Sequence, residues 1–256
     1  MSVLSNKAIA SMRLAVLGAG LFCLSAQAQI TIRFNDYDGG ATADPAYGFT
    51  ANVGAGLATP VQGYAGLGVG SNQFAGNFFR NTESNPTVGS GGTFTNLPVG
   101  GLLSFSFLLA VIDSWDGLDS VGGPDRFELL INNVSVYSTS FDNFPAPPAS
   151  STNGGTLLAS GSNLGFSQFF DSAWDFTNVA GIRNIAYAGT GLTYRFRATG
   201  AGWMGGADES YGIDNFRITL TPAVTAPVPE PETYALMLAG LAALGAVSRR
   251  RKQRVS

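Results

Sequence analysis

Leu102-Leu103-Ser104-Phe105-Ser106-Phe107-Leu108-Leu109-Ala110-Val111-Ile112 holds no charge and only two hydroxyls. A run this short and this apolar suits a central strand covered on both faces. Strands with one wet face flank it in sequence. Ile30, Ile32 and Phe34 alternate with Thr31 and Arg33, and Leu192, Tyr194 and Phe196 alternate with Thr193, Arg195 and Arg197. That period of two predicts Ile30, Ile32 and Phe34 on the inner side. Arg126–Ile131 and Val134–Ser138 flank Asn132-Asn133, a pair that tolerates positive φ and signals a hairpin. The last strand is expected over Ile213–Leu220, with Phe216, Ile218 and Leu220 inward. No segment of the body sustains a period of 3.6, so the expected fold is all-β, an antiparallel β-sandwich. Ala41–Gly101 is rich in Gly, Asn and Thr with scattered aromatics such as Tyr47, Phe49, Tyr64 and Phe78, and its strand edges are not readable. Gly66, Gly68 and Gly70 follow no clear strand and open no helix, so they read as turn glycines. Pro145–Ser151 reads as a surface loop.

Composition narrows the chemistry. The 256 residues include no His, which excludes Ser-His-Asp and Cys-His catalysis and HExxH zinc sites. The one Cys, Cys23, lies in a segment expected to be removed, leaving a body without disulfide or thiolate. Between Gln29 and Pro229 seven Arg and no Lys stand against fifteen acids, a net charge of −8. Such a body is not expected to bind nucleic acid, whose phosphates demand a positive surface. It suits divalent cations or neutral polymers.

The ends carry addresses. Lys7 and Arg13 precede an apolar stretch from Leu14 to Leu24 and then Ala26-Gln27-Ala28, the order of a secretory signal peptide cleaved after Ala28. At the other end Pro229-Glu230-Pro231 precedes an apolar run from Tyr234 to Val247 and then Arg249, Arg250, Arg251, Lys252 and Arg254. Fourteen residues span roughly 21 Å at about 1.5 Å each, short of a hydrocarbon core of about 30 Å. Snorkelling arginines lengthen the effective span, and positive charge keeps that end on the cytoplasmic side. The expected organisation is a signal peptide at 1–28, a body at 29–221, a Pro-rich linker at 222–233, a transmembrane helix at 234–248 and a basic cytoplasmic tail at 249–256.

This three-part tail resembles the PEP-CTERM sorting signal of Gram-negative bacteria. The resemblance covers about the last 28 residues. It implies Sec export, transient anchoring in the inner membrane and exosortase processing near Pro229-Glu230-Pro231, leaving the body at the cell surface or outside the cell.

Two acidic clusters are candidate sites. Asp113, Asp116 and Asp119, with Asp125 shortly after, end the central strand, and Asp208, Glu209 and Asp214 begin the last one. Convergence at one end of a sandwich would make carboxylates repel, which Ca²⁺ with six to eight oxygen ligands would relieve. The competing reading is that Asp-Gly and Asn-rich stretches are turns whose side chains bond their own backbone. The same phrases are similar to segments of jelly-roll modules in extracellular proteins, which implies a jelly-roll-like body. Trp115, Trp174, Trp203 and Tyr211 lie in polar or glycine-rich surroundings and are candidates for stacking on sugar rings; the alternative for each is a core or rim residue. No acid pair carries a glycosidase signature. The expected role is a non-catalytic binding or matrix module associated with exopolysaccharide, with an adhesive protein and a glycan-degrading enzyme as alternatives.

Overall fold

The computed structural model describes residues 28–52, 54, 56–143, 150–151, 154–223 and 231–253. The leader through Gln27, including Ala26, lies outside the described residues, as do Pro229 and Glu230, most of the expected Pro145–Ser151 loop, and most of the Pro-rich linker.

The strands in chain order are β1 (Ile30–Asn35), β2 (Thr42–Ala43), β3 (Thr50–Asn52), β4 (Leu57–Pro60), β5 (Gly68–Val69), β6 (Asn72–Gln73), β7 (Asn77–Asn81), β8 (Ser90–Phe94) and β9 (Gly101–Asp113). They continue as β10 (Asp125–Ile131), β11 (Val134–Thr139), β12 (Phe141–Asp142), β13 (Ser150–Ser151), β14 (Thr156–Ser162), β15 (Asp171–Asp175), β16 (Ile185–Ala186), β17 (Leu192–Gly200) and β18 (Glu209–Pro222). Besides three short 3₁₀ turns, the one described helix is α1 (Pro231–Gln253).

The larger sheet runs β14-β15-β9-β18-β1-β2, with β16 also on β9, β7 on β18 and β4 on β7; the smaller runs β11-β10-β17-β8-β3. Every pairing in the two sheets is antiparallel. Their inner faces form one core. Leu103, Phe105, Phe107, Leu109 and Val111 of β9 and Phe216, Ile218 and Leu220 of β18 face Phe127 and Leu129 of β10 and Tyr194 and Phe196 of β17. The architecture is consistent with the expected β-sandwich.

β9 is central, as its apolar run predicts. Its other face, Leu108, Ala110 and Ile112, is covered by a second cluster containing Val61, Tyr64, Phe74 and Phe78. The expected hairpin forms at Asn132 and Asn133, with φ of +49° and +66°.

Two bulges break the period of two. In β18 the register slips between Asp214 and Arg217, with Asn215 at φ +49°. Tyr211 and Ile213 therefore face inward before the slip, and Phe216, Ile218 and Leu220 after it. In β1 the register slips between Thr31 and Arg33, which corrects the simple alternation expected there. Ile32 is fully buried, but Phe34 lies half-buried under the Arg217 guanidinium, 5.1 Å from its ring centre. Arg33 takes the inner side instead.

α1 extends three residues before and five beyond the expected 234–248. Among the described residues no helix is long and apolar enough to cross a membrane, so the expected transmembrane span is corrected to a helix without one. The physical reason is the short run from Tyr234 to Val247, which the helix continues past into Arg249, Arg250 and Arg251. Tyr234, Leu236, Met237, Leu238, Leu241 and Leu244 are all exposed.

Candidate functional site

The six carboxylates expected around one cation do not converge. Asp113, Asp116, Asp208 and Glu209 do meet at one end of the sandwich, because Glu209 pairs with Asp113 across β18 and β9. The loops are tied there by main-chain contacts: Ser114 N–H and Oγ both donate to the Asp208 carbonyl, at 3.2 and 3.0 Å. Asp119 is exposed on the intervening loop. Asp214 lies five residues along β18 from Glu209, roughly 17 Å away at about 3.4 Å per residue. There it accepts the Ala75 N–H at 3.1 Å. Among the described residues no three acidic side chains are placed to hold a metal ion.

Two further acids join the cluster. Asp125 is fully buried and accepts the Asp116 N–H at 2.8 Å; Asp171, from β15, accepts the N–H groups of Asp113 and Leu164. Asp125 follows its cluster closely in sequence, but Asp171 stands alone and only the pairing of β15 with β9 brings it in. Burial pushes Asp113 up to about 6, with the charge of Asp171 adding to the shift and Arg80 opposing it. Burial also pushes Asp125 up to about 6 and Glu209 up to about 7. Asp214 rises to about 7 for the same reason, opposed by the N–H groups of Ala75 and Asn215. As pH falls through 7 and 6, protonation relieves the repulsion that a cation was expected to relieve.

The four aromatic residues expected at the surface are buried, a second correction. Relative exposures are 0% for Trp115, 4% for Trp174, 9% for Trp203 and 1% for Tyr211. Each polar atom is satisfied inside. The indole N–H of Trp115 donates to the Ser210 carbonyl at 2.8 Å, that of Trp174 to Ser172 Oγ at 2.8 Å, and that of Trp203 to the Glu83 carbonyl at 3.0 Å. The Tyr211 hydroxyl donates to the Phe196 carbonyl at 3.3 Å. Paired in this way, the large rings bury their area without an orphaned donor. No face is left for a sugar.

What the sequence did not signal is a cleft where the sheets part beside β1 and β3. It encloses about 60 Å³, well short of the roughly 300 Å³ at which small-ligand cavities begin. The β1 bulge aims Arg33 into it. The guanidinium carbon lies 4.8 Å from the Phe49 ring centre, and Nη1 donates to the Thr42 carbonyl at 2.9 Å. Arg33 Nε is buried without a hydrogen-bond partner. Phe49 is fixed by Phe94, 5.0 Å away, and by Tyr194, stacked at 6.5 Å. Tyr37, at φ +60°, is turned into the cleft by its N–H donating to Asn35 Oδ1 at 2.9 Å, and its ring meets Phe79 at 5.5 Å. Asn52 and Ser90 add polar atoms, and Phe196, Ile213 and Phe216 line the apolar side. Among the described residues no carboxylate lines it. Hollows of about 280 Å³ each also lie beside Asp113, Asp116 and Phe169, and beside Phe34, Asn215 and Arg217.

Residues 227–252 match the PEP-CTERM protein-sorting motif, as the tail resemblance implies. That motif indicates an exported protein that an exosortase sorts to the cell envelope. No curated protein matches the chain. Among solved structures, the CBM22-1 xylan-binding domain of Paenibacillus barcinonensis Xyn10C is 13% identical, at a TM-score of 0.35, over 78% of this chain and 100% of that one. The CBM22-1–GH10 modules of Clostridium thermocellum Xyn10B are 10% identical at a TM-score of 0.26, over 77% of this chain but only 30% of that one. An apo cyclase from Fischerella sp. is 12% identical at a TM-score of 0.24, over 77% of this chain and 98% of that one.

Proposed function

We propose that the body is a non-catalytic module that binds polysaccharide in the cell envelope or outside the cell. In this reading the leader is removed after Ala28 and the tail is processed by an exosortase near Pro229-Glu230-Pro231. The observation that carries the binding role is the cleft at Arg33. It sets the Arg33 guanidinium, with Nε unpaired, and the exposed Asn52 amide at its mouth, groups that hydrogen-bond the hydroxyls of a sugar. The non-catalytic part is supported by the cleft at Arg33, where no carboxylate among the described residues is found; Asp113 and Asp116 line the separate hollow beside Phe169.

The tail supports transient anchoring in the inner membrane. Its exposed apolar run is short and ends in arginines that can reach headgroups, so the hold is weak enough for later release.

Retention of the exported protein on immobilised exopolysaccharide tests the binding role. Retention that survives in the wild type and falls in Phe49→Ala supports it. Release of reducing ends from the polymer, abolished by Asp116→Asn, would replace it with a glycan-degrading role centred on the hollow beside Asp113.

A further inference from the structure

We infer that the hollow beside Asp113, Asp116 and Phe169 binds a saccharide unit bearing a primary ammonium group. This deepens the polysaccharide-binding reading and rests on it, at a place other than the cleft at Arg33. The hollow holds about 280 Å³, close to the roughly 300 Å³ at which small-ligand sites begin, so it has room for one sugar ring. Its floor is acidic and its wall aromatic. Asp113 is fully buried and Asp116 half-buried, and the charges of Asp171 and Asp208 act on the first, those of Asp142 and Asp208 on the second. Among the described residues no Arg lines the hollow. The cation that acts on Asp113, Arg80, is engaged elsewhere: its Nε donates to Ser210 Oγ at 2.9 Å, and its guanidinium carbon lies 4.6 Å from the Phe166 ring centre.

The loop between β14 and β15 builds the wall. It is pinned by Phe166, whose ring meets Phe78 at 5.5 Å and Tyr64 at 6.1 Å, and by the Leu164 carbonyl, which accepts the Gly63 N–H at 2.8 Å. Phe169 is left 39% exposed beyond that anchor. The guanidinium–ring contacts among the described residues fall on Phe34, Phe49 and Phe166, so no cation covers its face. Carboxylates on the floor call for a cation, and the wall decides which kind. Ca²⁺ takes about six to eight oxygens, and the rings of Phe169 and Phe170 offer none. An ammonium suits both surfaces, since it donates to carboxylates and is attracted to an aromatic face. A sugar that carries it lays its apolar face on Phe169 and turns its hydroxyls to Ser114 and to Gln168 at the exposed rim. A body of net charge −8 draws such a polycation toward it from a distance.

The test is calorimetric titration of the exported protein with a glucosamine oligomer, an N-acetylglucosamine oligomer of equal length and a lysine oligomer, at a pH just above the value of about 6 at which Asp113 titrates. The proposal expects the glucosamine oligomer to bind about tenfold more tightly than either comparison, the size of one charge-assisted contact. Asp113→Asn keeps the shape, removes the charge and should weaken binding about tenfold. Should that variant melt at lower temperature than the wild type, Phe169→Ala is the second: it trims an exposed ring, leaves the core untouched and should weaken binding about fivefold. Equal binding of the two sugar oligomers would overturn the ammonium selection and leave the polysaccharide role standing. A lysine oligomer bound as tightly as the glucosamine oligomer would overturn the saccharide half and reduce the hollow to an amine site. Binding of glucosamine that neither variant weakens would overturn the location. No binding of any oligomer by a protein that exopolysaccharide still retains would overturn this inference alone, and loss of that retention as well would overturn both.

Discussion

The backbone N–H of Asp113 donates to the carboxylate of Asp171 at 2.8 Å, so the main chain of one buried acid holds in place the acid that repels it. Asp171 also accepts from Leu164, and the Asp113 carboxylate meets the main chain of Phe169. Asp113 sits at φ +67°, outside the β region of the strand it terminates. The end of the sandwich thus concentrates burial, like charge and backbone strain.

Stability should fall as pH rises from about 4 to about 7. Asp113 and Asp125 titrate near 6 and Glu209 and Asp214 near 7 in the folded chain, against about 4 when unfolded. The folded state therefore binds more protons across that window, and its stability drops with each one lost. The melting temperature should be higher at pH 5 than at pH 8. Asp113→Asn should flatten the profile and raise stability at pH 8 by about 1 to 3 kcal/mol. Equal melting of wild type at the two pH values would refute this.

Trp115 should matter to folding and not to ligand. Its ring packs edge-on against Phe141 at 5.7 Å and Trp203 at 5.1 Å. Trp115→Ala should cost about 3 to 5 kcal/mol in denaturant unfolding. Trp115→Phe keeps an aromatic but orphans the Ser210 carbonyl, at about 1 to 3 kcal/mol. Polymer retention at temperatures where Trp115→Phe is folded should match wild type.

Gly91→Ala should damage the smaller sheet. A Cβ there would stand 1.9 Å from the Tyr194 carbonyl oxygen, a backbone atom that cannot rotate away. Separation of β8 from β17 costs about 1 to 3 kcal/mol and also widens the cleft that Gly91 and Tyr194 line. Chemical denaturation and polymer affinity should both change. Unaltered affinity in a destabilised variant would show that the cleft geometry does not set binding.

Deleting Tyr234–Ser256 should release the body from the membrane fraction. Replacing Arg249, Arg250 and Arg251 with Ala should weaken retention, because positive charge is drawn to anionic headgroups. Fractionation and protease accessibility of the exported chain read both effects. A body still membrane-associated after the deletion would show that the tail is not its anchor.

The sequence was legible where one interaction dominated. β9 is decided by an apolar run that has nowhere to go but between two layers, and Asn132-Asn133 by the low cost of positive φ. The inward set of Phe216, Ile218 and Leu220 follows from local alternation after the bulge. The slip in β1 was not legible, since the same alternating letters serve with or without an extra residue, and it decides that Arg33 rather than Phe34 turns inward. The Gly- and Asn-rich stretch from Ala41 to Gly101 holds strands of two to five residues, too short for a period to show. Among its turn glycines Gly68, at φ +137°, packs so closely on the Asn72 carbonyl that a side chain has no room. Trp115 and Trp203 misled because polar neighbours in sequence are only loop ties in space: Ser114 bonds the Asp208 main chain while the adjacent ring turns into the core.

β18, the strand from which the tail departs, is not at the edge of its sheet but lies between β9 and β1. A pull on the tail is directed along this strand, against two antiparallel partners at once. Its ladder bonds are then loaded side by side in shear, rather than unzipped singly as they would be from a free edge. A last strand held in this way resists a pull along its length, with β9 and β1 as the grips.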